Sequence, residues 1–206
     1  MTVHQSALAQ KSDDSRRPAR NSWVPGEVGI WSFILTDMSV FGIYFVVFAS
    51  YWAQEPEVFS AGHNALSLNA GVLNTVLMLT ASLFVALAML QVRQGRLPAT
   101  QRLLAAGGLC GLGFMVNKYF EWSAKVDAGH TPRSDHFFQM YFVFTGVHLL
   151  HVLIAMVLLA LMIRTTRRVN VIPNRTQTRV LENCASYWHL VDLLWLGLFA
   201  LLYLMN

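Results

Sequence analysis

A few ionisable side chains fall within long apolar stretches of this sequence, among them Asp37, Glu121, His148, His151, His189 and Asp192. A charge at the centre of a bilayer costs roughly 3 kcal/mol even on insertion scales, so residues of this kind are the first place to look for chemistry. His148 and His151 are three positions apart and share a helix face, and so do His189 and Asp192. Neutral imidazole with carboxylate suits zinc or iron, and the same groups in a row can relay protons. The plainest use is hydrogen bonding between helices, which satisfies polar groups in lipid. Di-iron bundles typically draw on four carboxylates with paired Glu-x-x-His motifs, a set this chain does not supply at one depth. Interhelical hydrogen bonding is therefore the preferred reading, ahead of a proton relay and a metal site.

No other pattern points to an active site. The sequence contains no phosphate-binding loop, no nucleophile elbow and no HExxH motif. Cys110 and Cys184, the two cysteines, form no CxxC pair. Gly107 and Gly111 make a GxxxG spacing that lets helices approach closely, a weak signal common in membrane helices.

The elements that must carry these residues are legible from composition. The 206-residue chain is 55% hydrophobic and 13% charged, and most of its charges lie between the apolar runs. Five runs are long enough to cross a hydrocarbon core, at about 28–52, 69–92, 103–123, 137–164 and 183–205. The expected fold is an all-α integral membrane bundle of five transmembrane helices over residues 28–205, preceded by a disordered polar tail over residues 1–27. The connectors, among them "AQEPEVFSAGHNAL", are too short to fold alone. No cleaved signal peptide is recognisable in the tail. No inverted repeat or pair of broken helices argues for a transporter, although a stand-alone proton-coupled transporter or channel is the competing reading from another class.

Basic residues set the expected orientation. The tail and the second and fourth connectors share one side of a five-helix weave and hold twelve of the 15 Lys and Arg residues. That bias places the N-terminus in the cytoplasm and the C-terminus on the periplasmic side. The net charge of +4 is spread over separate segments with no nucleic-acid module, so a nucleic-acid partner is not expected. Trp122 and Tyr203, near helix ends, are expected to anchor at the interface. Counting from the helix ends at 1.5 Å per residue, Asp37, His148, His151 and Asp192 are expected to meet in one layer. Replacing Asp192 by Leu should then strand the histidines of the fourth helix. Lys118 and Glu121 are expected near the outer surface, away from that layer.

Four collinear segments also resemble a known family. The last helix, "WHLVDLLWLGLFALLYL", is similar to the final helix of subunit III of haem–copper cytochrome oxidases, with its Trp-His-x-Val-Asp-x-x-Trp run. "FVFTGVHLLHVLIAM" resembles that family's Thr-Gly-x-His-x-x-His-Val, and "LNAGVLNTVLML" resembles its Leu-Asn-Thr segment. "KYFEWSAKVDAGHTPRSDHFFQMYF" is similar to bacterial members, with the Glu after an aromatic pair. The resemblance runs over roughly residues 25–205 and fits the short, five-helix form.

It implies a non-catalytic, multi-pass component of a bacterial inner-membrane respiratory enzyme, with no haem, copper or other cofactor of its own. The implied partners are a haem-bearing catalytic subunit and membrane lipids. Trp188, His189, Asp192 and Trp195 match the last-helix motif, Gly146, His148 and His151 the fourth-helix motif, and Glu121 the acidic position. The family's first-helix Glu is replaced here by Asp37. The opening "PGEVGIWSFILTDMSVFGIYF" and the "KYFEW…AGHTP…FFQMYFVFTGVHLLHV" stretch favour the accessory protein encoded with nitric oxide reductase, in denitrification. The alternative is the third subunit of a terminal cytochrome c or quinol oxidase.

Overall fold

The computed structural model describes residues 28–168 and 174–205. The expected tail over residues 1–27 lies outside them. Every element is helical: α1 (Val28–Gln54), α2 (Pro56–Ala65), α3 (Leu68–Arg93), α4 (Leu97–Asp127), α5 (His136–Arg167) and α6 (Arg175–Phe199), which passes into a π turn over Ala200–Leu204. Five of these helices, all but α2, are long and apolar enough to cross a membrane.

The helix ends follow from local chemistry. Asp135 caps α5 by accepting from the Phe138 amide at 2.8 Å. Asn174 and Gln177 form a reciprocal capping box at the start of α6, at 2.8 and 2.9 Å. α3 and α4 are followed by Gly95 (φ 70°) and Gly129 (φ 88°), left-handed positions that glycine adopts without strain and that stop a helix.

The first connector differs from expectation, because it folds into α2. Pro56 sits at the helix start with its φ already set, and Glu57 complements the N-terminal dipole. Tertiary contact supplies the rest: Phe59 and Gly62 are buried, and Phe59 packs edge-on to Phe137 of α5 at 5.6 Å between ring centroids. Ten residues could not hold a helix alone, and a connector docked on a bundle does not have to.

α6 is the central element. Of its most apolar window 61% is buried, against 11% for α1, which lies at the periphery. The core between the helices is rich in aromatic rings, including fully buried Trp188, Trp195, Phe114 and Tyr141. Leucines and valines on α3, α4 and α5 point outward in large numbers, among them Leu83, Leu109 and Val157, as helices in lipid require. Gly107 brings α4 close to α3, where an added Cβ would meet the Ala81 carbonyl oxygen at 3.4 Å. Gly111 makes room for the Trp188 indole and Met156 instead.

Candidate functional site

The polar residues of the bundle resolve into three separate clusters. The most enclosed is built on α4, whose Lys118 and Glu121 lie one turn apart. Their side chains are 1% and 2% exposed and pair at 3.0 Å. The Lys118 ammonium also donates to Tyr203 at 3.0 Å and to Tyr141 at 3.3 Å. Tyr141 donates to Glu121 at 2.8 Å, and the Tyr203 hydroxyl donates to the same carboxylate. Nζ stands 4.9, 5.2 and 5.6 Å from the ring centroids of Tyr141, Trp195 and Tyr203, close enough for cation–π attraction.

This cluster adds one finding and corrects one expectation. Lys118 and Glu121 are buried between the helices, both turned towards α5 and the end of α6. Tyr203 is no interfacial anchor: it is buried, and the π turn aims its phenol inward. The absent side chain of Gly71 admits that ring, since a Cβ there would lie 2.7 Å from it.

The second cluster joins α1 to α5, where Asp37 Oδ1 lies 3.2 Å from His151 Nε2. His151 Nδ1 is 2.8 Å from the Val147 carbonyl oxygen, so both ring nitrogens are engaged. Nearby, Tyr187 of α6 lies tilted against Phe33 of α1, with ring centroids 5.9 Å apart. The third cluster joins α3 to α6: Ser82 Oγ lies 2.7 Å from His189 Nδ1, and the Asp192 carboxyl is close to both.

Asp37, His148, His151 and Asp192 therefore do not join in one hydrogen-bonded group. Among the described residues no hydrogen bond joins Asp192 to either histidine of α5. The reason lies in helix azimuth: Asp192 faces Ser82 on α3, whereas His151 faces Asp37 on α1. His148 is wholly buried between rings, 5.6 Å from Phe114 and 5.4 Å from Trp195, and neither ring nitrogen has a hydrogen-bond partner. Trp195 donates to Thr75 at 3.1 Å, and Trp188 packs over Gly111.

Sequence reasoning missed Ser82, Tyr141 and the inward Tyr203. Ser82 and Tyr141 gave no signal beyond a hydroxyl in an apolar run. Asn74 and Asn117 add an amide pair between α3 and α4 at 2.9 Å. Among the described residues no group of three His, Cys, Asp or Glu is arranged to hold a metal ion. What these clusters do chemically is to pair donors with acceptors across helices, which fixes neighbours and azimuth in lipid. Outside the spans, His63 of α2 lines a small cavity with Phe48, Trp52, Phe59, Ser60 and Met205. Burial holds its imidazole below the ordinary histidine value, partly offset by the Tyr203 backbone.

Comparison with known proteins places the chain in a family. The family model described as cytochrome c oxidase subunit III matches residues 26–206. The chain is 27% identical over 183 residues to cytochrome bo(3) ubiquinol oxidase subunit 3 of Pseudomonas putida, covering 87% of this chain and 85% of the relative. It is 27% identical over 196 residues to cytochrome c oxidase subunit 3 of Bacillus sp. strain PS3, covering 92% and 91%. A haem-copper oxidase subunit I+III of Aeropyrum pernix is 27% identical over 180 residues, which cover 85% of this chain and 22% of that longer one.

Proposed function

Since the chain belongs to the cytochrome c oxidase subunit III family, we propose that it is the non-catalytic third subunit of a bacterial haem–copper terminal oxidase. In this reading it packs against the haem-bearing catalytic subunit in the inner membrane and supports its assembly or its stability during turnover. The observation that carries the reading is the near-full-length match to bacterial oxidase subunits of comparable size. These relatives favour a quinol or cytochrome c oxidase over the nitric oxide reductase system that the opening segment suggested. The excess of Lys and Arg in the tail and in the second and fourth connectors supports a cytoplasmic N-terminus.

The geometry fits a subunit better than a transporter. Asp37–His151 and Ser82–His189–Asp192 are separate bridges on different helix pairs, with no hydrogen bond linking them among the described residues. In this reading the haem and copper belong to the catalytic subunit and the chain holds none of its own. Deleting the chain should leave haem–copper oxidase in the membrane that loses activity faster during turnover or assembles in lower yield. Unchanged oxidase content and unchanged turnover lifetime in the deletion strain would count against the proposal.

A further inference from the structure

His189 lies halfway along the span Arg175–Leu204, and Ser82 lies near the middle of α3. Both are thus at the depth where an ionisable group costs most. Of the histidines inside the spanning helices, away from their ends, His148 is enclosed and His151 is half-buried against Asp37, whereas His189 is exposed on the outer face of the bundle; His136, also exposed, stands at the first residue of α5. Ionisable residues at mid-membrane face a protein interior or an aqueous cavity, not hydrocarbon. Ser82 engages only Nδ1 of the ring. Behind it, Oδ1 of Asp192 is buried without a hydrogen-bond partner. Around this polar centre the face is apolar, with Leu193 52% exposed one turn further along α6 and Leu79 and Leu83 exposed beside Ser82 on α3. A polar centre in an apolar surround is the anatomy of a helix-packing surface in a membrane.

We propose that this α3–α6 face, centred on His189, is where a transmembrane helix of the haem-bearing catalytic subunit docks, supplying a hydrogen-bonding side chain to His189 at mid-depth. The inference rests on the subunit reading above. The occupant follows from two observations: the face needs a polar group that lipid tails lack, and in Aeropyrum pernix a matching segment forms part of one chain named for subunits I and III together.

The test uses the tagged full chain in its native membranes. A photo-crosslinking amino acid is placed at Leu193, or at Leu109 of α4, which is 69% exposed elsewhere on the bundle. Adducts with the haem-bearing subunit from position 193 and none from 109 are expected. His189→Leu should cut the haem-bearing subunit retained per tagged chain by roughly 3- to 15-fold, as loss of one interhelical hydrogen bond implies, and His189→Gln should restore most of it. Melting of each variant separates loss of docking from loss of fold, and the position-193 adduct is read with His189 intact. A haem partner that co-purifies but crosslinks from 109 and not 193, or adducts from 193 only to lipid or to a second copy of the chain, overturns this inference alone. Absence of any haem partner from the unmodified chain overturns the subunit reading with it.

Discussion

Replacing Glu121 by Leu removes the carboxylate that faces Lys118 inside the bundle. The Lys118 side chain is 1% exposed, so its ammonium would have no route to water. It would keep two phenol oxygens, Tyr141 at 3.3 Å and Tyr203 at 3.0 Å, together with the faces of three aromatic rings. Those contacts are worth less than the ion pair they supported, because both phenols also donate to the lost carboxylate. Breaking a buried pair on one side costs about 3–5 kcal/mol, whereas replacing both partners by apolar residues is often neutral or stabilising. Glu121→Leu and Lys118→Met should therefore each destabilise by about 3–5 kcal/mol, and the double variant should recover most of that loss. Reversible unfolding of the purified chain in mild detergent, run as a double-mutant cycle, measures the coupling. A single variant within about 1 kcal/mol of the parent, or a double variant as unstable as the singles added together, would refute the argument.

Two further outcomes are expected. Gly62→Ala should destabilise by about 1–3 kcal/mol, because its Cβ would fall 2.2 Å from the fully buried Phe137 ring, whereas Gly42→Ala on α1 meets nothing within 4 Å and should melt like the parent. With the folded-state value of His63 lowered by burial, the unfolded chain binds more protons just below the ordinary histidine range. The contribution of His63 to stability is then complete above about pH 6.5 and declines as the pH falls below it. Melting temperatures between pH 8 and pH 5 should show this decline, and His63→Gln should flatten it; an identical slope in the variant would exclude His63 as the cause.

The spanning helices were legible because lipid imposes length and apolarity on a continuous stretch, and both can be counted along a sequence. Helix azimuth and neighbour order were not. Counted from the helix ends Asp192 and His151 are expected at one depth, yet Asp192 faces Ser82 on α3 and His151 faces Asp37 on α1. No periodicity in a single chain says which helix stands beside which. α2 was hidden because its stability comes from docking Phe59 and Gly62 against Phe137, a contact 75 or more residues away in the chain. The π turn at Ala200–Leu204 falls in "ALLYL", which carries no turn signal; only its consequence, Tyr203 on Glu121, shows what the turn achieves. Lys118 and Glu121 are visible in the sequence as an i, i+3 pair, but nothing in one chain shows that Tyr141 and Tyr203 from other helices enclose them.

The most direct measurement is co-purification of the tagged chain from its native membranes in mild detergent, with an absorption spectrum and mass spectrometry of what accompanies it. A stoichiometric haem-bearing catalytic subunit of a quinol or cytochrome c oxidase is expected, with all of the haem on that subunit. Recovery of the chain without any haem-bearing partner, under conditions that keep other respiratory complexes intact, would contradict it.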